Sequence, residues 1–112
     1  MSGTPGGERL VMAVDIGTNT VNTAVSGGPG RPMRRTYYTR LGEGLDSTGE
    51  LSEEAMSRAL GVLAEVAVDA TARGVVEMVA TATAACREAT NGGEFIARAG
   101  RTLGVVPKVI DG

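Results

Sequence analysis

Three short stretches of this sequence bring together residue types that bind anions. The first is Asp15-Ile16-Gly17-Thr18-Asn19-Thr20. Gly17 permits positive φ and lets another group approach the main chain, while Thr18, Asn19 and Thr20 offer hydroxyl, amide and peptide N–H donors around one hollow. Phosphate oxygens suit that set. Asp15 beside it suits a hydrated Mg²⁺, which takes only one or two protein carboxylates and keeps several waters. The same residues equally make a polar hairpin turn in which Asp15 accepts turn hydrogen bonds. The second stretch is Arg40-Leu41-Gly42-Glu43-Gly44-Leu45. Its glycines let a loop aim Arg40 into a cleft, where the planar guanidinium grips phosphate at two points. The alternative is a solvated Arg40 paired loosely with Glu43. The third runs from Thr83 to Asn91, at a strand-to-helix junction. Unpaired N–H groups and partial positive charge at a helix start would join Thr83 and Arg87 in an anion site. The plainer alternative there is a cap plus a surface arginine. Cys86, among small apolar residues, reads as a packed thiol with no role.

The elements that must position these groups follow from local pattern. Residues 10–14 form a nearly continuous apolar run, as in a central strand, and end at Asp15. Residues 20–25 are β-branched and alternating, which predicts an antiparallel return strand, and Gly27-Gly28-Pro29-Gly30 breaks it. Residues 33–39 make a third strand with charges on one edge, and 40–49 read as a long glycine-punctuated loop. Ser52 is a good N-cap with Glu53 and Glu54 in the first turn. Met56, Leu60, Leu63, Ala67 and Ala70 then recur at helical spacing, leaving Arg58, Glu65 and Asp69 on the wet side, and Arg73-Gly74 is the stop signal. Residues 75–81 read as a fourth strand, Thr83 as the cap of a short helix reaching Arg87 and Ala89, and Asn91 with Glu94 as a capping pair. Phe95, Ala99 and Leu103 line the next helix, Gly104 ends it, and 105–110 read as a fifth strand, with Pro107 suiting an edge or a strand start. The order is β-β-β-α-β-α-β, a three-strand meander followed by two right-handed crossovers. This is the order of ribonuclease-H-like and actin-like half-domains: an α/β class with a mixed five-stranded sheet and helices packed on it.

Composition narrows the chemistry. With 112 residues the chain is one domain at most, or a piece of a larger one, too small for two lobes closing on a substrate. Its 17 glycines call for many tight turns. There is no histidine, which removes Ser-His-Asp and Cys-His catalysis and most zinc sites. Cys86 is the one cysteine, so nothing demands an oxidising compartment, and a cytoplasmic location is expected. Net charge -2 and a pI near 5.1 argue against a sequence-independent grip on nucleic acid. The first nine residues lack the apolar stretch of a signal peptide and read as a disordered lead-in. No segment approaches the roughly 20 apolar residues of a membrane span.

Taken together, the motifs resemble the exopolyphosphatase / guanosine pentaphosphate phosphohydrolase (Ppx/GppA) family, whose members have an actin-like fold. The resemblance covers most of residues 10–112 in the same order. It rests on D-[IL]-G-[ST]-N-[ST] at 15–20, R-L-G-E-G-L-D at 40–46 and A-T-x-A-x-R-x-A-x-N at 82–91. It continues through Glu94-Phe95 to V-I-S-G, which appears here as Val109-Ile110-Asp111-Gly112. Thr18 and Thr20 stand where the family has serines, Cys86 where it has leucine, and Asp111 where it has serine. The resemblance implies Mg²⁺-dependent hydrolysis of a terminal phosphoanhydride in inorganic polyphosphate or the guanosine polyphosphate pppGpp. In that scheme Asp15 organises the metal, Gly17, Thr18, Asn19, Thr20 and Thr83 hold phosphate, and Arg87 and Arg40 stabilise charge on the transferring group. The family glutamate that orients the attacking water lies in an acidic segment following V-I-S-G. The expectation is therefore that 10–112 form the N-terminal part of such a phosphatase, stop before the base and are inactive alone. A homodimer of the full-length protein is the protein partner this resemblance admits. The rival readings are a non-catalytic binder of polyphosphate or guanosine phosphates and half of an actin-like kinase or ATPase. A sheet without a final covering helix is also expected to expose an apolar face.

Overall fold

The computed structural model describes residues 9–111. Apart from Arg9, the expected lead-in lies outside the described residues. Five strands form one mixed sheet: β1 Val11–Ile16, β2 Thr20–Ser26, β3 Met33–Tyr38, β4 Glu77–Ala82 and the two-residue β5 Lys108–Val109, in spatial order β3-β2-β1-β4-β5. β2 runs antiparallel to β1 and β3, whereas β4 is parallel to both β1 and β5. This is the meander with two crossovers that the sequence predicts, and an actin-like mixed sheet. The fifth strand is far shorter than 105–110, because only Lys108 and Val109 find register partners, Thr81 and Ala82. The first is longer and takes in Asp15, paired in register with Asn22 on one side and Thr81 on the other.

Two long helices complete the element set: α2 Glu53–Arg73 and α4 Gly92–Leu103, with the single turns α1 Leu45–Thr48 and α3 Ala84–Glu88 before each. Ser52 caps α2 as expected, its hydroxyl accepting from the Ala55 N–H at 3.0 Å, and Gly74 closes it at φ 80°. The loop 40–49 contains α1, which the sequence does not predict. Leu45 is buried, and left-handed glycines at 44 and 49 bracket the turn it anchors. The buried stripe of α2 is Ala55, Met56, Ala59, Leu63, Val66 and Ala70, with Leu60 and Ala67 only half-buried. The predicted stripe is thus rotated toward small residues, where α4 packs alongside through buried Phe95, Ala99 and Leu103.

Both crossovers move in the same direction across the sheet, so crossovers of one hand place both helices on the same face. Met12, Val14, Ile16, Val21, Thr23, Val25, Ala80 and Ala82 point into that covered side and are buried. The opposite face carries no helix among the described residues. Its large exposed hydrophobics are Val79 and, at the edge on β3, Tyr38; between them lie Ala13, Asp15, Asn22, Ala24, Arg34, Thr36 and Thr81, so the face is more polar than expected. Across its width runs a polar row in register, Thr36, Asn22, Asp15, Thr81 and Lys108. Thr36 donates to Asn22 Oδ1 at 2.7 Å, and Thr81 donates to Asp15 Oδ1 at 3.2 Å.

Candidate functional site

β1, β4 and β5 are parallel, so their carboxyl ends lie side by side, and every candidate residue falls at that end of the sheet. The turn joining β1 to β2 occupies residues 17–19 and closes with the Gly17 N–H on the Thr20 carbonyl at 2.8 Å. A second segment clamps it. The N–H groups of Thr39 and Arg40 both donate to the Asn19 carbonyl, at 2.9 and 3.0 Å, and that of Gly42 donates to the Thr18 carbonyl at 2.9 Å. Gly42 is needed for this approach, since a Cβ there would sit 2.5 Å from the Thr18 methyl.

The clamp has an electrostatic consequence. In a trans peptide the C=O and the following N–H point in opposite directions. With the Thr18 carbonyl turned onto Gly42, the Asn19 N–H is turned away from it. Among the described residues neither that N–H nor the Thr18 N–H has an acceptor, and the Thr18 hydroxyl and the Asn19 side chain make no hydrogen bond. The turn therefore offers a group of unpaired donors next to the exposed Asp15 carboxylate. The Thr20 hydroxyl is partly used, accepting from the Asn22 amide at 3.1 Å.

Thr83 stands next to this turn, its N–H donating to the Ile16 carbonyl at 3.1 Å. It precedes α3 as expected, but its side chain makes no capping bond, and the start of α3 is held by the Thr83 carbonyl, which accepts from Cys86 and Arg87. Arg87 reaches across to the end of β5, where one guanidinium nitrogen donates to the Ile110 carbonyl at 2.7 Å, with Asp111 at 3.9 Å and Glu88 at 4.0 Å. Asp15 and Arg87 are thus on the same end of the sheet, joined through β4 and β5. Arg40 is different: its peptide is part of the clamp, while its guanidinium, 62% exposed, turns to Glu43 at 3.3 Å. Burial pushes the Cys86 thiol up to about 11, consistent with a packed, unreactive side chain.

Asn91 corrects the sequence reading. Its side chain caps nothing; it bonds the Leu51 peptide twice, accepting from the N–H at 2.8 Å and donating to the carbonyl at 2.9 Å. The Thr90 N–H adds a bond to the Gly49 carbonyl at 2.9 Å, so the junction carrying Arg87 is tied to the loop before α2. Glu94 instead neighbours Arg98, which pairs with Glu53 at the start of α2. The roles of Gly42 and Asn91 are ones that local pattern misses, because their partners, Thr18 and Leu51, lie far along the chain.

The sheet order, the helices on one face and the turn at the carboxyl ends of the parallel strands define an actin-like half-domain. A non-polymerising MamK mutant bound to AMPPNP has the same fold, with a TM-score of 0.54 at 18% identity over 93% of this chain and 41% of that one. Residues 20–112 match the Ppx/GppA phosphatase family, and the chain belongs to it. It is 35% identical over 104 residues to exopolyphosphatase 1 of Mycobacterium leprae, covering 88% of this chain and 31% of that protein. It is 37% identical over 110 residues to the guanosine-5'-triphosphate,3'-diphosphate pyrophosphatase of Vibrio cholerae, covering 92% of this chain and 22% of that one. The crystal structure of the Aquifex aeolicus family member superposes with a TM-score of 0.84 at 31% identity, over 92% of this chain and 35% of that chain. The chain therefore spans a third or less of the length of the curated relatives it matches.

Proposed function

We propose that this chain is the phosphate-binding N-terminal part of a cytoplasmic, Mg²⁺-dependent phosphohydrolase acting on the terminal phosphoanhydride of polyphosphate or pppGpp, and that it does not turn over substrate alone. The observation that carries the reading is the clamped turn, whose unpaired Thr18 and Asn19 N–H groups sit beside an exposed carboxylate. Relatives named for exopolyphosphatase and for guanosine-polyphosphate pyrophosphatase activity support this substrate class.

The donor set fits magnesium. Among the described residues no three Asp, Glu, His or Cys side chains converge, so no all-protein cage forms. Asp15 keeps one carboxylate oxygen free of the Thr81 bond, which is the single protein ligand that a largely hydrated Mg²⁺ accepts. Bound there, the ion would neutralise phosphate charge. The chain's own residues do the rest: Gly17, its N–H spent on closing the turn, shapes the hollow, Thr18, Asn19 and Thr20 bind and orient phosphate oxygens, Thr83 adds an unspent hydroxyl, and Arg87 adds its remaining guanidinium donors. Arg40, engaged with Glu43, stands at the rim.

Calorimetric titration with tripolyphosphate, with and without Mg²⁺, tests binding, and a phosphate-release assay on polyphosphate and pppGpp tests turnover. Micromolar binding that is strengthened by Mg²⁺ and lost in Asp15→Ala, with no phosphate released, is expected. Robust release by the 112-residue chain would refute its dependence on a base elsewhere, and absence of binding would refute the phosphate site.

A further inference from the structure

Arg58 lies on the side of α2 that its sequence pattern assigns to solvent, yet its side chain is only 27% exposed. Its Nε donates to the Thr39 carbonyl at 2.6 Å, and its Nη2 donates to the Arg40 carbonyl at 3.1 Å and to Glu43 Oε1 at 3.0 Å. The other Glu43 oxygen holds the Arg40 guanidinium. The two carbonyls gripped by Arg58 belong to the same two residues whose N–H groups hold the Asn19 carbonyl. Arg40 is moreover the one non-glycine residue at positive φ among the described residues, at 48°. That backbone state is disfavoured for a residue with a Cβ and persists only where its surroundings impose it. Here both sides are held: the Asn19 carbonyl takes the N–H, and the C=O accepts from Arg58 and from the Glu43 N–H at 3.1 Å, while Arg58 alone ties the neighbouring Thr39 carbonyl to α2.

We infer that Arg58 is a positioning residue for the phosphate turn. It touches no substrate. It fixes the 39–42 segment, which fixes the Thr18 and Asn19 carbonyls and hence the direction of the Asn19 N–H. A planar guanidinium with fixed donor spacing suits two adjacent carbonyls and a carboxylate at once, which an ammonium does not. An exposed arginine serving only solubility would show no such convergence on one backbone segment. The inference rests on the phosphate-binding reading of the turn.

The test measures tripolyphosphate affinity in Mg²⁺ by calorimetry, together with amide exchange and tripolyphosphate-induced shifts by NMR, in wild type, Arg58→Gln, Arg58→Lys and Glu43→Gln. Removing an outer partner of a binding site typically weakens it about tenfold or more. Arg58→Gln is expected to raise the Kd roughly tenfold, to speed exchange at Thr39, Arg40 and Gly42, and to shrink the ligand-induced shift of Asn19. Arg58→Lys should recover part of the affinity, and Glu43→Gln, which spares both carbonyl contacts, should lose little. A folded Arg58→Gln with wild-type affinity and an unchanged Asn19 shift overturns the inference. Should the glutamine variant not fold, the lysine variant decides by the same readouts, wild-type values in all of them overturning the inference. Failure of the wild type itself to bind tripolyphosphate would instead strike the phosphate reading on which the inference stands.

Discussion

Two connections join antiparallel neighbours in this sheet, and they are built in opposite ways. The β1–β2 link is three residues long, and its carbonyls are held from outside by Thr39, Arg40 and Gly42. The β2–β3 link, residues 27–32, makes no backbone hydrogen bond outside the strands among the described residues, and Gly30 has nothing within 4 Å of where a Cβ would stand. What constrains it is steric: Gly27 has φ 107°, and a Cβ there would lie 2.1 Å from the Arg9 carbonyl oxygen. One turn is oriented by directional bonds from a distant segment, and the other is merely fitted against a neighbour. Preorganised donors require the first kind of support, because an anion site gains from N–H groups whose direction is set before the ligand arrives.

Substitutions can separate the two kinds. Gly27→Ala should have the largest effect on stability, on the order of 3 kcal/mol in urea denaturation, since both the backbone and the neighbouring carbonyl oppose it. Its folded fraction should bind tripolyphosphate like wild type. Asn91→Ala comes next, at about 2 kcal/mol by the same measurement, because it leaves a buried Leu51 peptide without two partners. Gly42→Ala should cost less, about 1 kcal/mol, as the Thr18 methyl can rotate aside. Even so it should weaken tripolyphosphate binding more than Gly27→Ala does, and the reverse ranking of affinities would break the comparison. The smallest effect concerns the solvent-facing pair of Glu53 and Arg98, bonded at 3.1 and 3.0 Å. Hydrogen bonding and charge from Arg98 hold the Glu53 carboxyl below its ordinary value. Its contribution is therefore present above the unfolded value near 4.3 and fades as pH falls through the lower folded one. The urea midpoint of Arg98→Ala should fall below wild type at pH 7, and the gap should close toward pH 2.

Much of the scaffold is legible one residue at a time. The Ser52 cap, the left-handed glycines at 74 and 104, and the buried face of Phe95, Ala99 and Leu103 all follow from residues within a turn of each other. The candidate site is legible in residue type: Asp15, Gly17, Thr18, Asn19, Thr20, Thr83 and Arg87 do gather at one end of the sheet. Its wiring is not. Asn91 looks like a cap and is a bridge to Leu51, Arg58 looks wet and holds a loop, and Arg40 turns to Glu43.

By itself, then, the amino-acid order determined the strands and the two long helices, the Ser52 cap and glycine stops, and the motif spacing that marks the Ppx/GppA family, because these depend on neighbours within a few positions. The tertiary structure alone decided which side of the sheet stays bare and which peptide N–H groups are left free. Both outcomes depend on hydrogen bonds and packing between residues that chain closure brings together, such as Arg58 with Thr39 at 19 positions' separation and Asn91 with Leu51 at 40. No local pattern encodes such pairs, because each side chain's alternative partner, water, is equally available until the fold excludes it.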